Sequence, residues 1–260
     1  MTLGVGHNLA LRLDRLAALL AVEDRGLSVQ EIGDRLGYHK TMTGSLRSWA
    51  RHLGLLDERG RRTPLALALL ACDPNLGLPL TQALLYARLA TNPDAEMFFF
   101  LVNDVLYHHS QSGDRFDTSD IESSARGAGV GGSSSATRQH RRELGLMLHL
   151  LTSGAFGDLR SVEPAGGRLR ANPIDFPPSV VAYVLAASWP ANTAFRSFSD
   201  LERPGGLARI ALVGRAGLRQ LLRAAEHAGF VVVEEEAGLN RVARVGDAGA
   251  DDLVAACYGG

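Results

Sequence analysis

The stretch SVQEIGDRLGYHKTMTGSLRSWARHLGLLDERGRRTPL, residues 28–65, sets the fold of the chain. Ser28 followed three residues later by Glu31 is a capping box, and it starts a short helix over residues 29–36. Gly37 makes the turn. A second helix runs from about Lys40 to Leu53 with Met42, Leu46, Trp49, Ala50 and Leu53 on one face, and Gly54 closes it. A short apolar piece, a charged turn at Gly60 and a Thr63-Pro64 helix start follow. Upstream, Leu9, Leu13, Leu16 and Leu20 recur at helical spacing until Gly26. Helix, helix, turn, helix and charged hairpin is the layout of a winged helix.

Outward from that unit, residues 79–109 predict two packed helices broken at Asn92-Pro93. The second carries Phe98, Phe99 and Phe100. Helical geometry sends three adjacent rings in different directions, so core packing is preferred to a base-stacking platform. A polar stretch follows, then a short helix capped by Thr118 or Ser119 and ending near Arg126. The run GAGVGGSSS (127–135) lacks the lysine of a phosphate-binding loop and no strand precedes it. A helix from about Ser134 to Leu151 repeats the two-helix layout of 28–53. The last third predicts a helix after Pro177-Pro178, a loop over 190–206, a helix from Ala216 to Ala228, and a β-hairpin pairing Phe230–Val233 with Arg241–Val245 about a turn at Gly238. The expected fold is mainly α, with tandem helix-turn-helix or winged-helix units and small β-hairpin wings. Its expected divisions are 1–78, 79–165 and 166–260.

The composition, 46% hydrophobic and 21% charged over 260 residues, is that of a globular protein. No apolar run approaches the ~20 residues needed to span a bilayer. The opening residues lack the parts of a signal peptide and only two cysteines, Cys72 and Cys257, occur. The expectation is therefore a cytoplasmic protein without disulfides. Net charge is −1, so only the distribution of charge speaks for a nucleic-acid partner. Residues 40–62 hold six cations against Asp57 and Glu58, and residues 126–142 hold four arginines and no acid. Lys40 is the sole lysine of the chain.

In a helix-turn-helix the second helix enters the major groove. The outward face of 40–51 is expected to carry Lys40, Thr41, Thr43, Gly44, Arg47, Ser48 and Arg51, with Arg47 placed for a bidentate contact to guanine. The N-terminal end of that helix offers backbone N–H groups to a phosphate. Arg59, Arg61 and Arg62 would lie over the adjacent backbone. Arg138, Gln139, Arg141 and Arg142 form a second candidate face. Arg215, Arg219 and Arg223 form a stripe at i, i+4, i+8 beside Glu226 and the acidic hairpin, open to a structural or a functional role. Tyr107-His108-His109 with Asp104 and Asp114 is the densest group of candidate metal or proton-transfer residues, although adjacent histidines at a helix end commonly face solvent. No zinc-protease, Walker A, C-x-x-C or G-x-S-x-G motif occurs, so catalytic and metal-binding residues stay unassigned.

Several stretches taken together carry a resemblance: GHNLALRLDRLAALL (6–20), LGYHKTMTGSLRSWARHLGLL (36–56), TPLALALLACDPNL (63–76), LLYARLATNP (84–93), TRQHRRELGLMLHLL (137–151), FPPSVVAYVLAASW (176–189) and LNRVARVGDAGADDLVAACYG (239–259). In order and spacing they resemble the bacterial family of unknown function numbered four thousand and seven, whose members are similar to SspB of DNA phosphorothioation and phage-defence systems. The resemblance implies a DNA-binding component that nicks one strand so that sulfur can enter the backbone. It also implies a divalent metal (magnesium or manganese) for that nicking. The implied partners are a cysteine desulfurase, an ATP-pyrophosphatase-like sulfurtransferase and an ATPase, beside the DNA expected from the basic faces and a second copy of the chain expected as a homodimer. The family's opening continues Gly-His towards a phenylalanine. Here Asn8, Leu9 and Ala10 follow, leaving His7 and Arg12 as the matching residues. Without the nick, the same residues describe a non-catalytic DNA-binding protein that needs no cofactor, either a transcriptional regulator or a DNA-targeting subunit. A third reading is a protein-interaction scaffold.

Overall fold

The computed structural model describes residues 10–23, 27–129, 137–190, 193–235, 239–246 and 249–258. It is mainly helical with two small antiparallel sheets. Helices α1 (Leu13–Val22), α2 (Val29–Leu36), α3 (Lys40–His52) and α4 (Pro64–Cys72) make the N-terminal part. The capping box forms as the sequence requires: the Ser28 hydroxyl accepts from the Glu31 N–H and the Glu31 carboxylate from the Ser28 N–H. Gly37, at φ 67°, takes the left-handed position that ends α2. Trp49, Leu46, Leu53 and Ala50 of α3 are buried against Leu16, Leu19 and Leu20 of α1. Between α3 and α4 the chain makes a tight turn with one bridge, Leu56 to Arg62, and Thr63 caps α4.

Helix α5 (Pro79–Thr91) lies at the centre, with Thr81 through Ala87, Leu89 and Ala90 all buried. After the break at Asn92-Pro93, α6 (Glu96–Phe100) runs through a π-helical turn, Leu101–Leu106, into α7 (Tyr107–Ser112). The buried Asn103 in that turn donates its amide to the carbonyls of Ala90 and Phe99 and accepts from the Gly205 N–H. Phe98 and Phe100 are buried and Phe99 is half-exposed. Tyr86, Phe98 and Phe156 meet edge to face at centroid distances of 5.8–6.0 Å. Helix α8 (Thr118–Gly127) is capped by Asp117, one residue before the expected cap, and α9 (Thr137–Thr152) follows.

A hairpin that the periodicity does not reveal, β1 (Val162–Ala165) and β2 (Arg168–Ala171), turns at Gly166-Gly167, both at positive φ. Then come α10 (Pro178–Ala187), β3 (Arg196–Ser197), α11 (Phe198–Leu201), α12 (Leu207–Ile210), α13 (Arg215–His227), β4 (Val231–Glu234), β5 (Arg241–Arg244) and α14 (Ala250–Tyr258). The expected hairpin forms as β4–β5, its first strand one residue later than expected and its turn at Gly238 outside the described residues, and β3 adds to β5 in the order β3-β5-β4. Helix α14 packs on α10 and back on α4. One contiguous cluster of buried side chains runs from Leu11 to Val254.

Phe98→Ala removes a ring from the centre of the aromatic group and is expected to lower stability by about 3–5 kcal/mol, read by urea denaturation.

Candidate nucleic-acid interface

Helix α3 presents a narrower polar face than its sequence suggests. On a wheel of 3.6 residues per turn, Thr43 falls next to Ala50 and Arg47 falls between Thr43 and Lys40, whereas Lys40, Gly44 and Arg51 fall opposite Leu46 and Leu53. Thr43 is fully buried and its hydroxyl donates back to the His39 carbonyl at 3.4 Å. It packs on Gly33 of α2, where a Cβ would come within 3.2 Å of the threonine oxygen. Arg47 is 9% exposed. Its Nε lies 3.4 Å from the buried Glu23 carboxylate, and its guanidinium lies beneath Gly60, which is held at φ 80°. Thr43 and Arg47 are therefore corrected from groove-facing residues to parts of the core. The physical reason is local for Thr43, which flanks Ala50 and packs on Gly33, and tertiary for Arg47, which the Gly60 turn and Glu23 cover on the polar side of the helix.

Lys40, Thr41 and Arg51 are exposed and Ser48 is half-buried. The N–H groups expected to await a phosphate are partly used: His39 Nδ1 accepts from Thr41 and the His39 carbonyl from Thr43. In the turn, Arg59 and Arg61 are exposed and Arg62 is half-buried. Arg61 pairs with Asp57 at 3.0 Å. Because Gly60 rests on Arg47, the turn is pinned to the flank of α3, beside the face of Lys40 and Arg51. Arg12 is exposed and paired with Asp14, and His7 lies outside the described residues.

On α9, Arg141 forms a two-pronged pair with Glu122 of α8 (2.7 and 3.0 Å), which offsets its charge. Arg142 is exposed; the side chains of Arg138 and Gln139 lie outside the described residues. The α13 stripe is consumed by acids. Arg215 pairs with Glu202, Arg219 with Glu235, and Arg223 with both Glu226 and Glu235.

A groove of about 700 Å³ opens where α7, α8 and β2 meet, and it contains His108, His109, Asp114, Arg115, Asp120 and Arg168. His109 stacks on Phe116 at 4.7 Å, and burial, with His108 adding, holds its pKa below the usual histidine value. Arg168 is tied to Asp120 and Asp117, while Arg115 lies along the turn glycine Gly166. The sequence singles out the two histidines but not Arg115 or Arg168, because the hairpin that brings Arg168 across is signalled only by the Gly-Gly pair. No set of three or more His, Cys, Asp or Glu suited to a metal ion exists among the described residues. No described helix is long and apolar enough to cross a membrane.

These features define a mainly helical protein with an exposed cationic tip at its N-terminal part and a polar groove at its middle. Two solved structures share this fold across nearly the whole chain. A magnesium-ion-bound crystal structure of SspB is 17% identical, with 96% of this chain aligned to 84% of that one at a TM-score of 0.74. Another SspB crystal structure is 16% identical with the same coverage and a TM-score of 0.68. No protein-family profile matches the sequence, and no curated protein matches it either.

Arg47→Ala removes a partner of a buried carboxylate, and it is expected to lower stability by roughly 3 kcal/mol. Arg51→Ala, at an exposed site, should leave stability within about 0.5 kcal/mol. Thermal melts of the two variants check this. His52 and His109 are both depressed by burial, so the unfolded chain takes up protons that the folded chain refuses. Stability should then be full above about pH 6.5 and fall as pH drops below it. His109→Phe, which keeps a ring on Phe116, should flatten the fall in melting temperature between pH 7.5 and pH 5.

Proposed function

We propose that this protein is the DNA-binding component of a bacterial DNA phosphorothioation system, and that it nicks one strand to admit sulfur. The observation that carries the reading is the likeness to SspB over 96% of the chain, combined with exposed Lys40, Arg51, Arg59 and Arg61 on one side of the N-terminal unit. We read residues 28–65 as a winged helix whose wing is reduced to the Leu56–Arg62 turn, and α13 with β4–β5 as a second, wing-like unit. The first places α3 in the major groove and the turn on the flanking backbone. Arg142, exposed on α9, gives a second backbone contact. A cysteine desulfurase, a sulfurtransferase and an ATPase would act with it on the nicked strand, in the cytoplasm.

Nicking by hydrolysis forms a bond from water oxygen to phosphorus and breaks one phosphorus–oxygen ester bond. It needs an acceptor for the water proton and cations facing the charge that builds on the phosphoryl oxygens. The groove of His108, His109, Arg115 and Arg168 offers both kinds of group, with His108 exposed. Magnesium is bound in one of the SspB structures. The described residues of this chain do not by themselves build a metal centre.

A gel shift on duplex DNA at two salt concentrations tests the binding. Lys40→Ala with Arg51→Ala should weaken binding and reduce the slope of log affinity against log salt by about two. A supercoiled-plasmid assay with magnesium, manganese or chelator tests the nick. His108→Ala with Arg115→Ala should abolish open-circle formation while leaving the gel shift intact. A wild-type protein that shifts DNA but never opens the plasmid is a targeting subunit, and the enzymatic half of the proposal then fails.

A further inference from the structure

Of the three adjacent phenylalanines, Phe99 alone reaches a surface, and it meets a second aromatic there. A groove of about 540 Å³ lies between the start of the α10–β3 loop and the turn before α12, with Phe99, Phe195, Arg196 and Arg203 on its walls. Phe195 is 38% exposed, and its ring carries the Arg241 guanidinium at 4.0 Å from the centroid. Beside it Arg244 lies over Trp189, whose indole N–H donates to the Thr193 carbonyl at 2.6 Å. These contacts fix the aromatic wall in place.

Glycine is required on the opposite side. Gly205 sits at φ 77°, and a side chain there would begin 3.4 Å from the Phe99 ring. The cations are arranged unequally. Arg196 is half-buried and committed to the Ser188 hydroxyl at 2.8 Å. Arg203 is 74% exposed and pairs at 3.3 Å with Asp200, which also lines the groove. Two aromatic walls, one exposed guanidinium at the rim and a volume larger than one base suit a flat ring joined to an anion.

The geometry points to this groove as a site for an unpaired nucleobase of a DNA strand, stacked on Phe195 and Phe99 with its phosphate on Arg203. The inference rests on the DNA-binding reading but uses a different face, remote in sequence from α3. It adds a specificity: the protein holds a strand whose bases have left the duplex, as a strand being opened at a nick presents them. Stacking of this kind tolerates any base, since each has a π-face.

The test is fluorescence anisotropy of the full chain with a labelled 15-residue oligothymidylate, an abasic strand of equal length and a duplex. Saturable binding of the oligothymidylate is expected, weakened roughly five- to hundredfold by Phe195→Ala. Phe195→Tyr should restore it, and the abasic strand should bind the wild type as weakly as the oligothymidylate binds Phe195→Ala. Equal affinity for abasic strand and oligothymidylate would overturn the proposal, since phosphates alone would then account for binding. So would wild-type affinity in both Phe195→Ala and Phe99→Ala. Lys40→Ala with Arg51→Ala separates the two readings: it should spare the oligothymidylate while weakening the duplex. Loss of duplex binding by the wild type, with oligothymidylate binding kept and ring-dependent, would remove the α3 interface and leave this site standing.

Discussion

Helix α5 is buried on every side, and a helix without a solvent face has to be enclosed by the rest of the chain. Its few polar groups decide what encloses it. Thr81 donates to Asp73 at the end of α4 and meets the Tyr258 hydroxyl of the last helix at 2.6 Å. Gln82 donates to Asp158 before the first hairpin, and the Tyr86 hydroxyl donates to the Ile210 carbonyl at the end of α12. Each bond satisfies a group whose isolation in the core would cost about 1–3 kcal/mol. Together they draw segments more than a hundred residues apart around one axis. The N-terminal unit is consequently fused to a common core, which fixes the direction in which α3 faces.

Charge is distributed with the same economy. With one lysine in the chain, nearly every cation is a guanidinium, and about half of the arginines described here form ion pairs with carboxylates. Arg141, Arg168, Arg219 and Arg223 each face an acid at hydrogen-bonding distance. Such exposed pairs contribute little to stability, about 0–1 kcal/mol each. Their larger effect is on the field outside, because a paired arginine projects less positive potential than an unpaired one. A chain of net charge −1 thus confines its cationic surface to small areas.

Arg47 shows how burial changes the meaning of a residue. A guanidinium in a recognition helix is the commonest reader of guanine, yet this one braces the turn through Gly60 and compensates Glu23. It supports the exposed turn from beneath. The groove of His108 and His109 is similarly composite: α7 brings the imidazoles, the following turn Arg115, α8 Asp120 and β2 Arg168. Likeness to SspB covers 96% of this chain at 17% identity, so what the two chains share is the arrangement of segments.

Local chemistry was written plainly in the sequence. The capping box at Ser28, the glycine stop at Gly37, the proline start at Pro64, the break at Asn92-Pro93 and the β4–β5 hairpin each depend on neighbours within a few residues, and each formed at its expected place. What stayed hidden depended on distant partners. The β1–β2 hairpin has too short an alternation to stand out, and β3 exists only because β5 offers it an edge. The inward turn of Thr43 and Arg47 needed Gly33, Glu23 and Gly60 to be in position. The sequence by itself thus determined the longer helices from α1 to α10 and α13, the caps just named and the regions where cations gather, but not α11, α12 or α14. Tertiary structure alone decided which of those cations reach solvent, because whether an arginine meets water or a buried carboxylate depends on what the fold packs against it.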